Sequence, residues 1–320
     1  MTNEIKELFE KHEVRKTRKQ KGAFIEHILG YAEKHGYKAH VEGGSLRSRN
    51  IVIGDPESAK VTYTAHYDTC PRLPFPNFIT PKNIGIYLLY QLVLTVVLVA
   101  IPMLIGGFAG YLFGLTALDE LVVGELTFLV SYIILIGELA LIMVGPANKH
   151  TANDNTSGVA TLIEIMKELP EEQRSEVAFI FFDLEEVGLV GSSSYYAKHK
   201  TKLANKLIVN FDCVSDGKNI LFVMKKGVFP FENALKKAYS PEGEYAPEFL
   251  SRGVFYPSDQ AKFPCGVGAC ALKKSKRFGI LYMNRIHTKR DTEFDEENIA
   301  FFKQGSIRLA SELCGNKLDL

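Results

Sequence analysis

Hydrophobic and polar positions are distributed very unevenly along the chain. From Asn83 to Leu118 no residue is charged, and from Leu126 to Pro146 the only charge is Glu138. The connection between these stretches carries Asp119, Glu120 and Glu125. A bilayer span takes about 20 apolar residues, and both stretches reach that length. Buried helices of soluble proteins usually keep a polar stripe, which neither stretch has. Residues 83–146 are therefore expected to form a two-helix transmembrane hairpin. Its first helix exceeds one span and should tilt, or break near Pro102 or Gly106-Gly107. The charged start MTNEIKELFEKHEVRK argues against a signal peptide.

Outside the hairpin, short apolar runs alternate with segments of helical period. KGAFIEHILGYAEKHG reads as a helix ending at Gly36, followed by strands in YKAHVE, NIVIG and KVTYTAH. After the hairpin, SGVATLIEIMKELP reads as a helix stopped by Pro170, and EVAFIFFD as a strand buried on both faces. SSSYYAKHKTKLA and FENALKKAYS suit helices, KLIVNFD and RFGILYMNRI suit strands, and ENIAFFKQGSIRLASELC suits a closing helix. This is an α/β pattern. Residues 1–82 and 147–320 should form one discontinuous domain interrupted by the hairpin.

Charge sharpens this division. The hairpin holds four acidic residues and no basic one, so the chain's net charge of +1 becomes +5 for the remainder. A mean hydropathy of 0.00 thus averages a greasy insertion with an ordinary soluble body. The near-neutral total gives no basis for nucleic-acid binding. Lys82 and Lys149 flank the hairpin, and the acidic connection has no positive charge, which places both flanks in the cytoplasm. The run RKTRKQK from Arg15 to Lys21 reads as a solvated turn before a helix, with contact to anionic lipid as the alternative. The five cysteines form no CxxC pair and read as reduced thiols, with Cys265 and Cys270 as packing residues.

The chemistry-bearing residues stand just beyond the expected strands. His66 and Asp68 follow KVTYTA, Asp154 precedes a helix, Glu185 and Glu186 follow FIFFD, Asp212 ends LIVNFD, and His287 follows ILYMNRI. In open α/β sheets the carboxyl ends of strands converge on one crevice. So many carboxylates in a partly buried site need cations. Two divalent metals meet that need, and an imidazole–carboxylate donor set suits zinc, with manganese and cobalt as alternatives.

In combination, AHYDT, NDNTSGVA, DLEEVGLVGS, NFDCV, PSDQAKF and IHTKRDT resemble the motifs of the M28 metallopeptidases, which include dizinc aminopeptidases. The resemblance covers about residues 20–82 and 147–312. It implies a three-layer α/β/α sandwich with a mixed central sheet, and a peptide substrate. It also implies that His66 and Asp212 bind one metal, Glu186 and His287 the other, and that Asp154 bridges them. Asp68 would orient the His66 ring, Glu185 would be the general base, and a cis peptide would follow Asp154. Gln260 departs from the pattern, since many members have His there, and an amide does not titrate as imidazole does. Tyr256 and Asp259 are weaker candidates for substrate contact, and Asp259 reads more simply as an exposed loop carboxylate. The leading expectation is a membrane-anchored aminopeptidase with a cytoplasmic active site. The alternatives are a carboxypeptidase, a glutaminyl-cyclase-like enzyme or a non-catalytic membrane scaffold. The resemblance implies one metal for the cyclases, against the two sites expected here. The oligomeric state and the preferred N-terminal residue stay open.

Overall fold

A computed structural model describes residues 1–315. The chain opens with two capped helices. Thr2 accepts from Ile5 N at the start of α1 (Asn3–His12). Thr17 and Gln20 close a reciprocal capping box at the start of α2 (Arg18–Lys34). Gly36, at φ +78°, turns the chain out of α2, a conformation that glycine adopts without a side-chain penalty.

Three strands follow: β1 (Ala39–Gly43), β2 (Arg49–Ile53) and β3 (Val61–His66). Next come the long helices α3 (Ile84–Gly114) and α4 (Glu120–Val144), then α5 (Ser157–Glu168), β4 (Val177–Phe182), α6 (Val190–Leu203) and β5 (Leu207–Phe211). The chain continues through β6 (Asn219–Met224), α7 (Glu232–Ala238), β7 (Glu248–Leu250), β8 (Gly266–Lys274), β9 (Leu281–Tyr282) and α8 (Glu296–Gly315). One mixed sheet runs β1-β2-β4-β3-β5-β8-β6-β7, with β9 attached to β8. Its centre, β4-β3-β5-β8, is parallel.

Alternation along β4 shows how the layers form. Val177, Phe179 and Phe181 enter the large core under α1, α2, α5, α7 and α8, while Ile180 and Phe182 point to the opposite face against α6. Helices thus cover both faces, and the central strands are apolar throughout because both sides are buried. This is the three-layer sandwich expected from the motifs.

The sequence reading needs correction in several places. RFGILYMNRI yields only the two-residue β9, and the long strand of this region is β8, which lies upstream in GVGACALKK. That segment shows little alternation because its small residues meet close neighbours: a Cβ at Gly268 would lie 2.6 Å from the Gln260 side chain. Strands β6 and β7 were also not expected, nor was the helix α1. The helix α3 runs unbroken through Pro102 and the Gly106-Gly107 pair.

Helices α3 and α4 are long and apolar enough to cross a membrane, and they pack on each other rather than into the body. Only 11% of the most apolar window of α3 is buried, and none of that of α4. A core helix would be mostly covered. Gly106 and Gly110 of α3 lie against Ser131 and Thr127 of α4, so small residues bring the two backbones together.

Candidate metal centre

Three adjacent parallel strands aim their carboxyl ends at one spot. His66 closes β3, with Asp68 two residues on; Glu185 and Glu186 follow β4; Asp212 follows β5. Asp154 lies in the irregular turn entering α5, and His287 in the loop after β9. His66 Nε2 is 3.2 Å from Asp154 Oδ1 and 3.7 Å from Asp212 Oδ1. His287 Nε2 is 3.0 Å from Asp154 Oδ2 and 3.2 Å from Glu186 Oε2. The two oxygens of Asp154 therefore face two different imidazoles.

Each donor is held from behind. Asp291 accepts from the backbone N–H of Asn153 at 2.8 Å and of Asp154 at 3.1 Å, which fixes the turn. Asn155 donates to the Phe211 carbonyl and accepts from Gly158 N, tying the turn to β5 and α5. The Asp154-Asn155 peptide is cis. Asp68 accepts from Glu185 N at 2.9 Å and from Glu186 N at 3.3 Å, so it braces the two glutamates. His66 Nδ1 lies 3.1 Å from the Asp68 carbonyl oxygen and 3.7 Å from its carboxylate.

The electrostatics show an excess of buried negative charge. Burial pushes the Glu185 carboxyl well above its ordinary range, with Asp212 and Glu186 adding to the effect. Burial opposes charge on both imidazoles, yet the surrounding carboxylates override it and hold His66 and His287 well above the usual histidine range. Glu186 Oε1 is buried without a hydrogen-bond partner among the described residues. His66, Asp154 and Asp212 offer three donor atoms within 4.8 Å of one another. Glu186 and His287 form a second such group together with Cys70. An orphaned carboxylate oxygen and imidazoles pulled toward protonation fit divalent cations well.

The groups open onto a cavity of about 310 Å3. Tyr256 lines it, with its hydroxyl donating to the Asp212 carbonyl at 3.0 Å. Asp259 is not the exposed loop carboxylate expected: it is fully buried in a short helical turn, and burial raises its carboxyl to about 7. Gln260 spends its amide on structure, donating to the Tyr256 carbonyl and accepting from Asn210. Tyr87 of α3, together with Asn77 and Ile79 just before it, lines the same cavity.

The run Arg15–Lys21 is the largest departure from the sequence reading. Arg15 is fully buried behind the centre. It donates to the carbonyls of Tyr67 and His12 and, at 3.2 Å, to Thr156 Oγ1. It thereby joins the His66–Asp68 segment to the Asp154 turn. Lys21 is buried in an ion pair with Asp183, which leads into the two glutamates. Burial drives these cations toward partners, and their partners are the loops of the centre. Asp291 was missed although it stands in the IHTKRDT motif, and Cys70 although it follows AHYDT. A lone arginine in a charged run gave no signal.

The fold and the site together define a metal-dependent peptidase-like enzyme. The sequence profile of peptidase family M28 matches residues 138–305, just over half of the chain. The chain belongs to that family. Among solved structures, the Legionella pneumophila LapA aminopeptidase is similar at 14% identity and TM-score 0.57, over 98% of this chain and 68% of that one. A Porphyromonas gingivalis glutaminyl cyclase is similar at 15% identity and TM-score 0.56, over 96% and 95%. A Zn-dependent exopeptidase from Parabacteroides distasonis is similar at 16% identity and TM-score 0.54, over 96% and 94%. At these identities the likeness concerns the fold. No curated protein sequence matches the chain.

Proposed function

We propose that this protein is a membrane-anchored aminopeptidase that uses two metal ions, most simply zinc, to remove N-terminal residues from peptides. The observation that carries the reading is Asp154, whose two carboxylate oxygens face His66 at 3.2 Å and His287 at 3.0 Å. A bridging ligand needs that disposition. His66 and Asp212 would complete one site, and Glu186 and His287 the other.

A metal pair bound there would acidify the attacking water and polarise the scissile carbonyl. The protein's own groups do the rest. Glu185 faces the cavity, its burial favours holding a proton, and it would take the water's proton and pass it to the leaving amine. Asp68, bonded to the backbone of both glutamates, keeps that carboxylate aimed. The Tyr256 ring and Ile79 give the cavity walls against which an N-terminal side chain could rest.

The hairpin would cross the bilayer through α3 and α4, with the lysine-flanked ends and the catalytic body on the cytoplasmic side. Because Tyr87 lines the cavity, the site would sit at the root of the hairpin, favouring peptides released at the membrane surface. The decisive variant is Glu185→Gln in the full-length protein. Expected is retained metal with hydrolysis of aminoacyl substrates reduced by about 10²–10⁴-fold. Unchanged hydrolysis with metal bound would overturn the assignment. A glutaminyl peptide in the same assay separates hydrolysis from cyclisation by its product.

A further inference from the structure

The hairpin meets the body around a second cavity, of about 270 Å3, separate from the metal centre. Its walls are aliphatic, supplied by residues such as Leu98 and Ile101 of α3 and Leu141 of α4. Two charged side chains interrupt them: Glu138 of α4, and Arg72 from the segment that enters the hairpin. Glu138 Oε2 is buried and has no hydrogen-bond partner among the described residues. Arg72 lies at the body end, where its backbone N–H bonds the Pro146 carbonyl just after α4.

A carboxylate within a membrane helix is costly and calls for a specific partner. Glu138 stands six residues before Val144, the last residue of α4, or about 9 Å at 1.5 Å per residue. The whole helix is about 37 Å long on the same rise, against about 30 Å of hydrocarbon. Glu138 therefore lies just inside the boundary between acyl chains and headgroups. An orphaned carboxylate oxygen at that depth accepts from an N–H donor, a guanidinium nearby pairs with phosphate, and aliphatic walls take acyl chains.

We infer that this cavity binds a phospholipid whose headgroup carries a primary ammonium, with the ammonium on Glu138 and the phosphate on Arg72. A quaternary choline headgroup brings phosphate but no N–H for Glu138. An anionic glycerol headgroup brings no cation. The lipid would fasten the root of the hairpin, where Arg72 and α4 meet the body.

The inference rests on the hairpin crossing a bilayer, and its test separates the two. Full-length protein is reconstituted with an equal mixture of ethanolamine, choline and glycerol phospholipids, re-extracted in detergent, and its retained lipid quantified. Wild type should retain the ethanolamine lipid about fivefold over the choline lipid, the ratio set by one hydrogen bond. Glu138→Gln should bring the ratio toward that supplied, and Arg72→Gln should lower the retention of all three lipids. Leu104→Ala, on the outer face of α3, is the control for folding and should leave both unchanged. Equal retention of all three lipids by wild type, an unchanged preference in Glu138→Gln, or unchanged total retention in Arg72→Gln overturns the site while the bilayer reading stands. A protein that retains no lipid at all overturns both.

Discussion

The hairpin and the metal centre are built on opposite plans. In α3 and α4 the apolar side chains face outward and almost nothing is buried against the body. At the ends of β3, β4 and β5 the polar side chains face inward, and His66, Asp68, Asp154 and Asp212 are all buried. On the proposed reading the hairpin would take its stability from a surrounding bilayer that its surface matches. The centre depends on partners for most of its buried polar groups, down to Arg15 and Lys21 behind it, while Glu186 Oε1 and the Asp259 carboxylate lack one among the described residues. The contrast predicts that single substitutions cost far more behind the centre than on the outer faces of the hairpin.

Arg15→Ala should produce the largest effect. It orphans the buried carbonyls of Tyr67 and His12, at about 1–3 kcal/mol each. It also loosens the link between the His66 segment and the Asp154 turn, so bound metal should fall together with melting temperature. Arg15→Lys keeps a charge and should recover part of both. Leu104→Ala, on a side chain 73% exposed on α3, should change neither. Equal melting temperatures for Arg15→Ala and Leu104→Ala in detergent would erase the contrast.

Two tyrosines of the hairpin test whether its root belongs to the site. Tyr87 lines the cavity at the candidate metal centre and packs on Phe255, with ring centroids 5.7 Å apart. Tyr132 lies on α4 beside Phe128 and is 52% exposed. Tyr87→Ala should raise KM for peptides with a bulky apolar N-terminus about tenfold, within the range for losing part of an apolar pocket. Metal content should stay unchanged, and Tyr132→Ala should leave KM alone. If both variants behave alike, the hairpin is an anchor without a part in substrate binding.

How much of each region the sequence discloses follows from the same contrast. The hairpin is a property of composition, so its two helices were legible as nearly uncharged windows, although Glu120 and Glu125, expected in the connection, belong to α4. The strands carrying the centre were legible where a continuous apolar run met a charge, as in FIFFD before Glu185. They were not legible in β8, where small residues pack closely without alternation. His66, Glu186 and Asp212 stand at or just beyond strand ends, and Asp154 and His287 in loops, all inside ordered motifs, which is why the sequence could single them out. Arg15 could not, because its partners are backbone carbonyls distant in sequence, and carbonyls leave no trace in residue identity. Asp259 was misjudged for a related reason: burial is set by the turn it occupies, not by its charge.

The smallest effect concerns the histidine-linked loss of stability between pH 6.5 and 4, which should belong to the body, since residues 83–146 contain no His. His12, at the end of α1, packs against Phe24 and His27. Burial lowers its pKa from 6.5 to about 4; the nearby charges of His27, Arg15 and Lys11 add to the shift, and Glu7 opposes it. Between those two values the unfolded chain binds a proton that the folded chain refuses. The stability contributed by neutral His12 is therefore complete above pH 6.5 and is lost as pH falls toward 4. His27, lowered by burial in the same direction, adds to the slope, whereas burial raises Asp291 and Asp259, which act against it. His12→Gln removes one titrating group, so melting temperature should fall less steeply from pH 6.5 to 4 than in wild type, whatever the variant's starting stability. Parallel curves would show that His12 is not the acid-sensitive point of the body.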